Sequence, residues 1–268
     1  MRRAECAVAA FPKIAKKQAH GLPGELIVSL TSYRARFVTL ALTIKSLLDQ
    51  RIQADRTILW VGFNDIDQLP PEVTRLQSQG LEIRPCEDIR SFTKIIPALE
   101  EFPSAYIVTA DDDVYYPPDW LKLLVGGFKE NSPAIVCLRA HVANIQDDGY
   151  LTPYATWELV THALTDRSPT ELLFPTGVGG VLYPPNCFPQ RVTDKSCFLE
   201  LCPHADDVWL FWMAEIAKTP HIRVPHSIEI VNWTGSQEIG LFHENLYNDR
   251  NDQQVRAMEK YFGLIQPL

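Results

Sequence analysis

The sequence predicts an α/β protein built on a mostly parallel sheet, and three observations carry that reading. Apolar, β-prone runs alternate with segments of helical spacing through the first two-fifths of the chain. The connections between them are short. No Gly/Ser-rich linker, internal repeat or low-complexity tract divides the 268 residues.

The elements follow in order. ELIVSLTSY (25–33) is apolar and β-rich and reads as the first strand. Phe37, Leu40, Ala41, Ile44, Leu47 and Leu48 recur at helical spacing behind it. TILWVGF (57–63) is a second strand, a helix follows Pro70 and Pro71, and LEIRPC (81–86) is a third strand. A helix through IIPALEEF (95–102) leads into AYIVTA (105–110), a fourth strand. Such β-α-β-α-β-α-β order gives a parallel sheet with helices on both faces, and its ligand crevice lies outside the carboxyl ends of the strands.

The second half is more mixed. Trp120, Leu121, Leu124, Val125 and Phe128 mark a helix, and AIVCLRA (134–140) a strand. TELLFPTGVGGVLYPPN (170–186) reads as strand, glycine turn, strand. ADDVWLFWMAEIAK (205–218) is a helix with two acids at its positive end, IRVPHSIEIVNW (222–233) offers short strands, and DQQVRAMEKYF (252–262) is a closing helix.

Composition excludes several classes. The chain is 46% hydrophobic and 22% charged, ordinary for a globular protein, and its net charge of −8 gives no electrostatic footprint for nucleic acid. Cys6, Cys86, Cys137, Cys187, Cys197 and Cys202 form no CxxC pair and have no metal-type spacing, so they read as reduced core thiols. No run approaches the roughly 20 apolar residues that span a bilayer. The N-terminal apolar stretch is too short for a signal peptide, so a cytoplasmic setting is the expectation. Arg2, Arg3, Lys13, Lys16 and Lys17 make the first segment weakly basic; it reads as a disordered tail, with at most peripheral contact to an anionic membrane.

The segment VTADDDVYYPPDW (108–120) sets three carboxylates at a strand's carboxyl end. Adjacent carboxylates repel and need something positive to hold them. No Lys or Arg lies near them in sequence, which points to a hard divalent cation, Mg2+ or Mn2+. On an extended backbone Asp111 and Asp113 would share one side, with Asp112 pointing away. The plainer alternative is an exposed acidic turn leading into the next helix.

These segments resemble family 2 glycosyltransferases and their GT-A-fold relatives over roughly residues 25 to 220. IVSLTSYRARFVTLALTIKSLLDQ is similar to the family's opening strand and helix, which commonly end in Ser-x-x-x-Gln, here Ser46 to Gln50. DDDVYYPPDWL is similar to the segment whose D-x-D motif binds the metal of a nucleotide-sugar donor, and ADDVWL (205–210) to the later acidic motif that supplies the catalytic base. The departures lie at the nucleobase end. Thr31-Ser32-Tyr33-Arg34 stands where Pro-x-Tyr-Asn is common, and GFND where an acid pair is common.

The resemblance implies a GT-A domain over 25–268, behind an N-terminal extension (1–24), with a nucleotide-binding half (25–113) and an acceptor-binding half (114–268). It implies Asp111 and Asp113 as metal ligands, with Asp113 the more direct, and His243 or His226 as a third. Asp207, and after it Asp206, is the implied base for an inverting transfer, against the alternative that both only cap a helix. Thr31, Tyr33, Asp88, Lys94 and Asp112 are the candidates for nucleotide-sugar contacts, and Lys94, Arg139 and His141 for the diphosphate. Gly179 and Gly180, with Gly177, would form a loop beneath donor sugar and acceptor, or else a bulged hairpin. Trp157, beside Glu158, would be an aromatic platform or else a core residue.

The implied reaction moves a sugar from a nucleoside diphosphate sugar, with uridine the expected base, to a hydroxyl of a glycan acceptor in cell-surface polysaccharide synthesis. A nucleotidyltransferase-like enzyme would share the metal carboxylates without needing Asp207 as a base. A catalytically silent nucleotide- or glycan-binding domain would not need both acidic motifs. Neither GxxxxGK nor GxGxxG follows the first strand, which argues against P-loop and dinucleotide-binding proteins.

Overall fold

The computed structural model describes residues 1–130, 132–159, 171–225, 229, 231–236 and 250–265. From the N-terminus, α1 (Arg2–Ala9) and β1 (Gln18–Ala19) precede β2 (Leu26–Ser32) and α2 (Phe37–Leu48). Then come β3 (Ile52–Gln53), β4 (Arg56–Gly62), α3 (Pro71–Thr74), β5 (Leu81–Cys86), α4 (Ile96–Glu101) and β6 (Tyr106–Ala110). The second half holds β7 (Val114–Tyr115), α5 (Trp120–Gly127), β8 (Ile135–Cys137), β9 (Ala140–Asn144), β10 (Glu171–Pro175) and β11 (Val181–Tyr183). It closes with α6 (Lys195–Leu201), α7 (Asp206–Ala217), β12 (His221–Arg223), β13 (Val231–Asn232) and α8 (Arg250–Phe262).

The predicted parallel sheet is present. Seven strands lie in the order β12-β8-β11-β6-β2-β4-β5, parallel except where β11 runs antiparallel to both β6 and β8. Strand periodicity explains why β2 is apolar throughout. Leu26, Val28 and Leu30 face one way onto Leu40 and Ile44 of α2, while Ile27 faces the other way onto Ile58, Trp60 and Ala98. Each such fully buried side chain contributes roughly 1.5–3 kcal/mol of burial energy. Central strands covered on both faces leave only their ends open to a ligand.

Several sequence expectations change in three dimensions. The apolar run 134–140 is two strands, because the chain leaves the main sheet after Cys137 and β9 pairs with β10 in a separate antiparallel ribbon. β10 and β11 are therefore not a bulged hairpin: a 3-10 turn at Gly177–Gly179 carries the chain from the ribbon into the main sheet. The helix after Pro70 is short and passes into a 3-10 turn that Gly80 ends at φ 100°. α6 had no apolar period to announce it, but Asp194 caps it by accepting from the Cys197 N–H.

The first residues are not a disordered tail. α1 buries Ala4 and Val8 against Trp233, Leu42 and Tyr115, and β1 pairs with β3. At the other end α8 docks through side chains that accept backbone N–H groups. Asp252 takes Tyr154, Glu259 takes Leu151 and Gln254 takes His204, at 2.7–2.8 Å. Five of the six thiols are buried, Cys6 is exposed, and none is in a disulfide. Among the described residues no helix is long and apolar enough to cross a membrane.

Candidate active site

β6 lies at the middle of the sheet and stops at Ala110, so the three aspartates leave its carboxyl end in a tight turn before β7. In a turn the period of two no longer applies. Asp112 and Asp113 share one partner, Arg36, whose Nη1 lies 3.0 Å from Asp112 Oδ1 and 2.6 Å from Asp113 Oδ2. Asp111 takes a different partner, Lys94 Nζ, at 3.1 Å. The expectation that Asp112 points away from a pair formed by Asp111 and Asp113 is thus corrected. Asp112 is buried and engaged by Arg36 and by the Ser32 hydroxyl, which donates to it at 2.5 Å. It presents no open edge to a nucleotide.

The backbone of the turn is pinned separately. Thr43 Oγ1 donates to the Asp112 carbonyl at 2.9 Å, and the Trp233 N–H and Ser236 hydroxyl donate to the Asp113 carbonyl. Trp233 in turn donates its indole N–H to Thr43 Oγ1. The Asp111 N–H donates to the Tyr116 hydroxyl. Just beyond, Gln50 works as a clamp: its Nε2 donates to the carbonyls of Ser46, Tyr116 and Pro117, and its Oε1 accepts from the Leu121 N–H. The Ser46 hydroxyl accepts the Tyr116 N–H. This is the physical content of the Ser-x-x-x-Gln pattern, since the end of α2 fixes the exit of the acidic turn.

Lys94 ties the two halves of the site together. It is buried at the end of the 3-10 turn before α4 and reaches Asp111 on one side and Asp206 Oδ2, at 3.0 Å, on the other. Burial alone would lower its ammonium, but Asp111, Asp206 and Asp207 hold it well above the usual lysine range. Asp207, next on α7, accepts the Gly177 N–H at 3.1–3.2 Å through its two oxygens. Burial, and then the neighbouring Asp206, push its carboxyl up to about 7 against the pull of Lys94. Asp112 is likewise pushed up to about 6 by burial, with Arg36 and Ser32 opposing.

Gly177 sits at the centre of this group. A Cβ there would lie 2.8 Å from Lys94 Nζ, 3.4 Å from Asp207 Oδ1 and 3.7 Å from Asp111 Oδ1. Gly179 and Gly180 serve a different purpose. A Cβ on Gly179 would meet the Arg139 Cβ at 2.6 Å, and one on Gly180, where φ is 84°, would meet the Trp120 ring at 2.6 Å. These two glycines let the 3-10 turn pack on β9's lead-in and on α5, and Trp120 seals it by donating to the Gly179 carbonyl. Gly177 is the one whose missing side chain the acids need.

The other predicted residues are distributed unevenly. Tyr33 is exposed after β2, and Asp88 is exposed after β5 with its carboxylate accepting the Arg90 N–H. Thr31 is tied to the Trp60 carbonyl. With the exposed Phe63 they line the carboxyl rim of β2, β4 and β5, apart from Lys94, which sits among the acids instead. Arg139 donates to Thr176 Oγ1 and feels Asp207 and Asp111. His141 is buried against Phe174 and Tyr154, and burial with Arg139 lowers it to about 4, so it meets no diphosphate. Trp157 is a core residue and not a sugar platform: it is buried on Tyr154 and Phe174, and its indole N–H goes to the Thr152 carbonyl. His226 and His243 lie outside the described residues.

Arg36, which the sequence does not single out, is the cation paired with Asp112 and Asp113. It stands 76 and 77 positions before its partners, and only tertiary folding brings them together. Three cations, Lys94, Arg36 and Arg139, therefore stand among five carboxylates at the mouth of the sheet. Among the described residues no group of three His, Cys, Asp or Glu side chains is placed to hold a metal by itself.

A sequence profile described as Glycosyl transferase family 2 matches residues 30–183. No curated protein matches the chain. Among solved structures, a mannosyltransferase from Pyrobaculum calidifontis, PcManGT in complex with GDP-Man and Mn2+, is similar at 13% identity and a TM-score of 0.48, over 98% of this chain and 76% of that one. The inositol-1-phosphate CTP transferase from T. maritima is similar at 10% identity and a TM-score of 0.46, over 87% of this chain and 97% of that one. Both likenesses are distant.

Proposed function

Because this chain belongs to glycosyl transferase family 2, we propose that it transfers a sugar from a nucleoside diphosphate sugar, with a divalent cation and with inversion, to a hydroxyl of a glycan acceptor. One observation carries the proposal. Carboxylates from both halves of the chain, Asp111 at the end of β6 and Asp207 at the start of α7, converge with Lys94 around the bare Gly177 backbone at the carboxyl end of the sheet.

The donor set suits a hard cation. Mg2+ and Mn2+ accept one or two protein carboxylates and complete their shell with phosphate oxygens and water. Asp111, whose side chain keeps 28% of its surface open, would supply one carboxylate, and Asp113 would supply a second on leaving Arg36. When bound, the cation supplies charge stabilisation to the departing diphosphate.

Asp207 is the base in this reading. The acceptor oxygen attacks the anomeric carbon as the bond to the diphosphate breaks, and the hydroxyl proton passes to a carboxylate oxygen of Asp207. The Gly177 N–H orients that carboxylate, and Lys94 neutralises its neighbour Asp206. A carboxyl poised near 7 is matched to taking a proton at neutral pH. The carboxylates beside it, Asp206 and Asp111, are both paired with Lys94, which leaves Asp207 as the base and favours direct displacement. The nucleobase would sit on the rim of Tyr33, Thr31 and Asp88, with uridine the first base to try. A role in cell-surface polysaccharide synthesis is the biological setting this reading favours.

The test is a panel of nucleoside diphosphate sugars in a thermal-shift assay with Mn2+, comparing wild type with Asp113→Asn. A ligand that binds the folded state raises its melting temperature. The proposal expects a metal-dependent shift with one donor class, lost in Asp113→Asn, and transfer lost in Asp207→Asn with the shift retained. No shift with any donor, or an Asp207→Asn variant that transfers sugar normally, would overturn it.

A further inference from the structure

We propose that Arg36 is a resident counter-ion of the acidic turn that gives up its carboxylates to the divalent cation and turns to the diphosphate of the incoming donor. This rests on the metal-dependent reading above and adds a residue, an order of events and a coupling to it.

The geometry around Arg36 suits an exchangeable contact. Its Nη1 alone bridges Asp112 Oδ1 and Asp113 Oδ2, at 3.0 and 2.6 Å. This is not the two-pronged pairing that makes an Arg–carboxylate bridge strong. Its Nε is buried without a hydrogen-bond partner, a cost that a more complete set of acceptors would remove. A diphosphate offers several oxygens in a geometry that matches the guanidinium fork.

Its position allows the exchange. Arg36 closes the 3-10 turn Arg34–Arg36 between two exposed side chains, Tyr33 at 39% and Val38 at 90%. The backbone is thus at the open rim while the guanidinium, only 13% exposed, reaches inward. The acidic turn does not depend on Arg36 for its shape. Thr43, Trp233 and Ser236 hold the carbonyls of Asp112 and Asp113, and Ser32 holds the Asp112 carboxylate. The carboxylates can change partners without the turn refolding.

Charge gives the order. With Arg36 in place, a free cation must displace a guanidinium from Asp113, so Mn2+ alone binds weakly. A nucleoside diphosphate offers Arg36 another anion and offers the cation phosphate ligands, so donor and metal strengthen one another's binding by equal factors. Lys94 is no substitute, because it is buried between Asp111 and Asp206.

The experiment measures binding of Mn2+ alone by electron paramagnetic resonance to wild type, Arg36→Gln, Arg36→Lys and Asp113→Asn, each checked for folding by thermal melting. The same titration is then repeated with UDP, GDP, CDP and ADP in turn. Arg36→Gln is expected to bind Mn2+ at least roughly tenfold more tightly than wild type without nucleotide, the scale of losing one close charged competitor. It should also lose most of the mutual strengthening with the nucleotide. Arg36→Lys should fall between the two. A merely structural role for Arg36 would weaken Mn2+ binding, the opposite direction. Equal or weaker Mn2+ binding in Arg36→Gln, with binding abolished in Asp113→Asn, overturns the exchange and leaves the metal site standing. No binding to any variant, with or without nucleotide, overturns the metal-dependent reading and the exchange together.

Discussion

Replacing Gly177 by alanine adds one methyl group at the point where the charged side chains meet. No positive φ is required there, so the backbone accepts alanine without strain and the effect is steric alone. The new Cβ would stand 2.8 Å from Lys94 Nζ, which must retreat by about 0.6 Å to reach an ordinary 3.4 Å contact. Lys94 is held at 3.1 Å by Asp111 and 3.0 Å by Asp206, so its retreat drags both carboxylates or breaks one ion pair. The same methyl presses on Asp207 Oδ1 at 3.4 Å. A misplacement of about 1 Å in catalytic groups costs on the order of a hundredfold in rate, so Gly177→Ala should lower kcat by roughly 10- to 100-fold. Stability should fall by less than in Gly180→Ala, because the turn keeps its conformation and the clash is with the end of a flexible side chain. Gly180→Ala is the control. It forces a Cβ to 2.6 Å from the Trp120 ring at φ 84°, and overpacking plus a left-handed residue cost about 2–4 kcal/mol. For a chain of this size that is a melting temperature lower by roughly 4–16 °C. Steady-state transfer kinetics and thermal melts on both variants decide the matter. Full activity in Gly177→Ala, or equal destabilisation in the two variants, would refute the assignment of Gly177 to the site and Gly180 to the fold.

Two further predictions follow from the same geometry. Gln50→Leu leaves the Leu121 N–H and the Tyr116 carbonyl without their buried partner, while the Pro117 carbonyl keeps the Trp120 N–H. Each orphan costs roughly 1–3 kcal/mol, so the variant should melt several degrees lower and bind donor more weakly, read by thermal melts and nucleotide titration. Asp207 in the folded protein titrates near 7 against an ordinary 3.8. Between those values the folded state holds a proton that the unfolded chain has lost, so this group lowers stability as pH rises from about 4 to about 7. Denaturant titrations across that window should show the decline in wild type and a flatter curve in Asp207→Asn, while kcat/KM in wild type should rise through a pH near 7 as the base ionises.

Much of the architecture was legible in the residues. Period and apolarity are local properties, so strands β2, β4, β5 and β6 and helices α2 and α7 stood out, and the aspartates fell at a strand's carboxyl end because that strand's boundary is local too. The pairing of those aspartates was not legible. Their partners Arg36 and Lys94 are far away in sequence, and a local reading made a metal the natural source of positive charge. Trp157 and His141 could have been surface groups by sequence, but the ribbon of β9 and β10 turns them inward. Gly177 and Gly180 look alike in sequence and differ only in what packs against them, Lys94 and the acids in one case and Trp120 in the other. The sequence by itself determined strands β2, β4, β5 and β6, helices α2 and α7, the parallel sheet they build and the two acidic segments, because short-range sterics and hydrophobic period govern them. Only the tertiary structure decided which charges neutralise which, because a salt bridge depends on distance in space.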